Sequence, residues 1–96
     1  MFLIELSYTA PLEQVDALLA AHVAYLDDAY AAGHFVLSGR KEPRTGGIIL
    51  ATMPSRAALD ALLARDPFYQ AGVAQYRVVE FVASRSDPSI ASLLGR

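Results

Sequence analysis

A chain of 96 residues with 54% hydrophobic and 19% charged side chains and a formal net charge of −2 has the size and make-up of one globular domain. Eight basic against ten acidic residues, with a pI near 5.5, offer no clustered cationic surface for a phosphate backbone, so nucleic acid is not an expected partner. The absence of cysteine excludes disulfides, thiolate zinc sites, iron–sulfur clusters and cysteine nucleophiles, and fits a cytoplasmic chain.

From Phe2 to Tyr8 apolar residues recur at every second position (Phe2, Ile4, Leu6, Tyr8) and Leu3, Glu5 and Ser7 form the other face, the pattern of a strand. That alternation, with an acid at Glu5, argues against a signal peptide or a membrane span. Thr9, Ala10 and Pro11 offer an N-cap region, and Glu13 and Asp16 place negative charge where the helix dipole favours it. The stripe Val15, Leu18, Leu19, Leu26, Ala29 and Tyr30, closed by Gly33, predicts one long helix over residues 11–32.

His34 to Ser38 reads as a second strand ending at Gly39. Its loop carries Arg40, Lys41 and Arg44 and ends in the glycine pair Gly46 and Gly47, before Ile48, Ile49 and Leu50 resume as a third strand. Ser55 is the expected N-cap of a second helix through Leu59, Leu62 and Leu63 to Arg65. Asp66, Pro67 and Phe68 break that helix, Gly72 makes a further turn, and Tyr76 to Ala83 alternates as a fourth strand. The tail from Ser84 is expected to form a short turn or helix, and the apolar spacing of Ile90, Leu93 and Leu94 suits a docking surface.

The sum is βαββαβ, the α+β ferredoxin-like sandwich with two helices on one face of an antiparallel sheet. The other face would be wet in a monomer, yet strands one and four are apolar on both sides, with Val78 and Val82 on one side of strand four and Val79 and Phe81 on the other. A chain this small buries only about 60–65% of its unfolded surface, and its mean hydropathy is +0.32. A second sheet covering that face is expected, giving a barrel-like homodimer or a higher homo-oligomer.

His22 falls on the helix stripe that should face the sheet, where burying an imidazole without a partner costs roughly 1–3 kcal/mol. It is either a core histidine bonded to a backbone carbonyl or a general acid and base. Asp66, before Pro67, either initiates a turn by bonding nearby amides or partners His22, since both helices lie on one face of the sheet. Ser38, Gly39 and the Gly46–Gly47 amides could meet an anion in the hairpin loop, and Arg40 and Arg44 could hold a carboxylate. Glu5 and Glu80 sit in strands with apolar neighbours, facing either solvent or a polar pocket. His22 and His34, twelve positions apart, match no zinc spacing, so no metal site is expected. No Gly-x-Gly-x-x-Gly, Walker loop or Gly-x-Ser-x-Gly occurs, so no nucleotide cofactor or hydrolase elbow is indicated.

Together His22 with Tyr25-Leu26, Gly33, Ser38-Gly39, Gly46-Gly47-Ile48-Ile49-Leu50, Asp66-Pro67-Phe68, Ala71-Gly72 and Val79-Glu80-Phe81 come in an order and spacing that resembles the YciI-like, or YCII-related, domain family. The resemblance spans residues 1–83 and leaves 84–96 as a C-terminal tail. It implies a dimeric ferredoxin-like α/β barrel whose active site holds a histidine and an aspartate, matching His22 and Asp66. Many members look like Ser-Gly-Pro at the hairpin; this chain has Ser38-Gly39-Arg40 and delays its proline to Pro43, which is expected to alter substrate charge preference.

The resulting expectation is a cofactor-independent enzyme of lyase or isomerase type acting on a small acidic or phenolic molecule. His22 shuttles a proton, Asp66 fixes its tautomer, Ser38 or loop amides stabilise an oxyanion, and Arg40, Arg44 and Gly39 bind substrate. The competing expectation is a non-catalytic dimeric module that binds a small molecule or accompanies another protein, with His22 and Asp66 as a buried polar anchor. A third, weaker expectation is a haem- or oxygen-handling relative of the same fold.

Overall fold

The computed structural model describes residues 1–93. Four strands, β1 (Phe2–Tyr8), β2 (Phe35–Arg40), β3 (Gly46–Ala51) and β4 (Ala74–Glu80), form one sheet in the order β2-β3-β1-β4. Every neighbouring pair is antiparallel. Helices α1 (Leu12–Ala17), α2 (Leu19–Ala31), α3 (Arg56–Leu63) and α4 (Pro67–Ala71) occupy the connections, and a 3₁₀ helix spans Pro88–Leu93. This is the ferredoxin-like α+β arrangement. Among the described residues no helix is long and apolar enough to cross a membrane.

The core lies between sheet and helices. Phe2, Ile4 and Leu6 of β1, Phe35, Ile49 and Ala51 of the hairpin, and Leu59, Leu62, Leu63 and Phe68 of the later helices are all buried. The alternation along β1 sends these side chains to the helical face and Leu3, Glu5 and Ser7 to the other. On that other face strand pairing aligns Leu37, Leu50, Leu3 and Val79 in one row. Leu3, Leu37, Val79 and Phe81 are exposed, so the apolar outer face read from strands one and four is present and uncovered within one chain.

The single helix expected over residues 11–32 is two. Leu18 sits at φ −102° and ψ −1° and closes α1 by donating to the Val15 carbonyl at 3.0 Å, after which α2 restarts with the His22 amide on the Leu18 carbonyl at 2.9 Å. The break re-phases the stripe, so His22, Tyr25 and Ala29 are the buried residues of α2 while Leu19 and Tyr30 are exposed. Thr9 does not cap the helix; Pro11 occupies that position, and the Thr9 hydroxyl donates instead to the Gly72 carbonyl at 3.1 Å.

β2 runs to Arg40, beyond Ser38, because Arg40 pairs with Gly47 on the return strand. An irregularity between Phe35 and Leu37 sets Leu37 opposite Leu50 and Ser38 opposite Ile49, which turns Ser38 to the helical face. Gly46 has no alternative: a Cβ there would come within 1.8 Å of the Leu6 carbonyl oxygen, so the close approach of β3 to β1 requires glycine. β4 ends at Glu80 rather than Ala83: Glu80 pairs with Phe2, and beyond that pair Phe81 and Met1 exchange hydrogen bonds at 2.9 and 3.0 Å. The segment expected only to break the second helix, Asp66-Pro67-Phe68, begins α4. Ile90 of the tail is exposed, and Leu94 lies outside the described residues.

Candidate functional site

Asp66 is placed by local rules. Pro67 forces an extended backbone on the preceding residue, and Asp66 takes φ −65° and ψ 127° as the N-cap of α4, with Pro67 in the first turn and Gly72 closing the helix at φ +69°. Its Oδ1 accepts the Phe68 amide at 3.0 Å. The same oxygen accepts His22 Nδ1 at 2.8 Å, bridging 44 positions of sequence. Its Oδ2 accepts the Tyr76 hydroxyl at 2.5 Å. Asp66 is fully buried and His22 is 9% exposed. The two readings of Asp66, a turn-initiating carboxyl and a partner of His22, therefore hold at once.

The imidazole lies flat on Phe68, with ring centroids 3.9 Å apart and planes 6° from parallel. Because both Asp66 oxygens act as acceptors, the hydrogen of the neutral ring belongs on Nδ1 and the lone pair on Nε2. Among the described residues Nε2 has no hydrogen-bond partner, and no buried side-chain nitrogen or oxygen is left unpaired, so Nε2 opens to solvent.

A cavity of about 410 Å³ lies against α1, α2 and the β2–β3 hairpin. Leu6, Leu19, Val23, Leu26, Ile49 and Phe68 give it apolar walls, and His22, Ser38, Gly39, Arg40, Arg44, Gly46 and Gly47 line it as well. Thus His22, Ser38, Gly39, Arg40 and Arg44 share one cavity, while Asp66 stands behind His22 and does not line it. Such a space holds a molecule of one or two rings.

The polar wall groups are already engaged within the chain. Ser38 Oγ and the Tyr30 hydroxyl share a 2.5 Å hydrogen bond, and Arg40 donates to Glu42 at 3.0 Å on the exposed loop. Arg44 pairs directly with Asp16 of α1, both residues lining the cavity. The hydrogen bond from Arg44 holds the Asp16 carboxyl below the usual carboxylate range, and Asp16 raises the arginine in turn. Lys41 does not join these cations: it turns to the opposite sheet face, 3.2 Å from both Glu5 and Ser7. Glu5 is thereby paired, and Glu80 is exposed. No group of three or more potential metal ligands occurs among the described residues.

Tyr76, Tyr30, Asp16 and Phe68 were not legible as site residues. Tyr76 sits at an inward position of β4, and its hydroxyl is pushed well above the ordinary tyrosine range by burial and by its bond to Asp66. Burial likewise raises the Tyr25 hydroxyl, which donates to the Leu62 carbonyl at 2.8 Å, and the Asp66 charge adds to the effect. The clue to Tyr76 was its alternation with Val78, which puts a phenol on a face that demands a hydrogen-bond partner.

The fold is similar to 5-chloro-2-hydroxyhydroquinone dehydrochlorinase (TftG) from Burkholderia phenoliruptrix, solved in complex with 2,5-dihydroxybenzoquinone: TM-score 0.71, 22% identity, with 84% of this chain and 93% of that chain covered. It is also similar to SnoaB, a cofactor-independent oxygenase from Streptomyces nogalater: TM-score 0.50, 14% identity, with 91% and 94% covered. At these identities the likeness concerns the fold. No curated protein matches significantly. The model of the YCII-related domain matches residues 1–82. Because that match spans most of the sequence, this chain belongs to the YCII-related domain family.

Proposed function

We propose that the protein is a cytoplasmic, cofactor-independent enzyme that moves a proton on a small acidic or phenolic molecule bound in the 410 Å³ cavity. One observation carries this reading: His22 lines the cavity, is fixed at Nδ1 by a buried carboxylate, and keeps its Nε2 without a partner among the described residues. Nε2 takes a proton from a substrate C–H or O–H, and Asp66 stabilises the imidazolium so formed. The released electron pair either expels a leaving group, an elimination, or shifts a double bond, after which Nε2–H returns the proton at another atom, an isomerisation. Negative charge that develops on a substrate oxygen would meet Ser38, donating through its hydroxyl, or the Gly39 and Gly46–Gly47 backbone. Arg40 and Arg44 would hold an acidic group. The aromatic chemistry named for TftG makes 2,5-dihydroxybenzoquinone a suitable probe ligand here.

The test is a panel of hydroxylated aromatic and carboxylic acids assayed with the parent, His22→Ala and Asp66→Asn. Turnover by the parent that both variants lose supports the reading; turnover that survives both substitutions overturns it.

A second reading is a non-catalytic binding module, favoured by the pairing of Ser38, Arg40 and Arg44 within the chain. Saturable binding of the panel without turnover of any member would select it. In either case a second copy would cover Leu3, Leu37, Val79 and Phe81, forming the homodimer on which the tail around Ile90 docks.

A further inference from the structure

Tyr76 belongs to β4 and lies on the far side of Asp66 from the cavity, whose lining does not include it. It nevertheless makes a 2.5 Å hydrogen bond to Asp66 Oδ2, leaving Oδ1 for His22 Nδ1 and the Phe68 amide. All three donors of this buried carboxylate are thereby accounted for, and each comes from a different element. The half-buried phenol packs edge-on against Tyr69, with ring centroids 5.4 Å apart, which holds the ring and its C–O bond in place while the Asp66 oxygen orients the O–H.

We propose that Tyr76 is a positioning residue of the His22 site, acting through Asp66: it fixes the rotation of the carboxylate and sets the proton affinity of the His22–Asp66 pair. This deepens the proton-transfer reading and rests on it. The phenol remains a donor throughout the neutral range because burial and the bond to Asp66 oppose its ionisation. A donor on Oδ2 draws charge from the carboxylate, so that Oδ1 holds the Nδ1 hydrogen without retaining a proton at the pH where Nε2 must be free. Removing the donor raises the proton affinity of the pair as a whole. The other titratable and charged groups around the pair are Tyr25 from α2, Tyr69 from α4, Arg65 just before Asp66, Tyr8 from β1, Asp16 from α1, and Arg40 and Arg44 from the hairpin. None of them touches Oδ2, so substitution at Tyr76 alters the pair without altering the cavity wall.

The experiment uses diethyl pyrocarbonate, which acylates an imidazole only at its unprotonated nitrogen, read by the ultraviolet absorbance of the N-acylated imidazole, on the full chain carrying His34→Gln so that His22 is the sole histidine. Modification rate is followed against pH, and melting temperature is recorded for each protein. Tyr76→Phe should raise the pH midpoint of modification by about half a unit or more, and Asp66→Asn should lower it. A lowered melting temperature with an unmoved midpoint in Tyr76→Phe would show a purely structural role and overturn the proposal. An unmoved midpoint in Asp66→Asn would instead overturn the His22–Asp66 reading beneath it. Should Tyr76→Phe fail to fold, 3,5-difluorotyrosine at position 76 keeps the shape and strengthens the donor. A downward shift then supports the proposal and no shift overturns it.

Discussion

His22 Nδ1 lies 2.8 Å from Asp66 Oδ1, a contact that joins the first turn of α2 to the residue that caps α4. Neither partner could be buried alone at small cost. The carboxylate meets three donors and the imidazole gains an acceptor and a stacked ring, so the polar pair sits among apolar neighbours without an orphaned group.

Asp66→Ala removes the N-cap of α4 and leaves the Tyr76 hydroxyl, the Phe68 amide and His22 Nδ1 without their acceptor. The expected loss is about 3 kcal/mol of stability, or a melting temperature lower by more than about 10 °C for a domain of this size. Urea and thermal denaturation measure it. A loss below about 1 kcal/mol would mean that the three donors find water instead.

His22→Ala should reduce turnover of any substrate found by at least about 100-fold, the usual contribution of a general base. Steady-state kinetics against the parent provide the check, and the fall should appear in kcat more than in KM.

Arg44→Ala should weaken binding of any anionic ligand found for the cavity by roughly tenfold, the size of one charge-assisted hydrogen bond. The effect should shrink as salt is raised. Asp16→Asn should act in the opposite direction, because it frees the Arg44 guanidinium from its internal carboxylate. Titrations at two ionic strengths distinguish these outcomes from a general loss of fold.

Stability should fall in alkali, an effect that tyrosines with unshifted values would not produce. Tyr76 and Tyr25 are raised in the folded chain above the ordinary value of 10.0, so each contributes stability that is whole below pH 10. That contribution is lost progressively as pH rises above 10, because the unfolded chain releases these protons first. Urea midpoints should be level from pH 8 to about 9.5 and decline from about pH 10 to 11, and Tyr76→Phe should flatten the decline.

Val79→Lys places a charge in the outer row formed by Leu37, Leu50, Leu3 and Val79. If a second copy covers this face, the variant should shift the chain from dimer to monomer without unfolding it, as read by light scattering on a sizing column. An unchanged mass would place the interface elsewhere.

The sheet was legible because its signals are local. Period-two alternation in β1, the glycine pair that opens β3 and the Ser55 cap of α3 each follow from nearest-neighbour sterics and hydrogen bonding, and Ser55 accepts the Ala58 amide as expected. α4 was also written locally, as Asp at the N-cap, Pro in the first turn and Gly at the left-handed close, yet its five residues are short enough to pass for a turn. The break at Leu18 has no such signature: neither proline nor glycine marks it, and the restart serves the burial of Tyr25 and His22 against the sheet.

The residues themselves determined the order of elements, the class of fold and the candidacy of His22, Asp66, Ser38 and the loop arginines, since residue type, spacing and family pattern are properties of the chain. Only the tertiary structure decided that Asp66 stands behind His22 rather than in the cavity, that Tyr76 completes the carboxylate, that Ser38 and Arg44 are held by Tyr30 and Asp16, and that Lys41 serves the opposite face. These are matters of which side chains meet across strands and helices distant in sequence. Such meetings depend on register and packing, which no local pattern encodes.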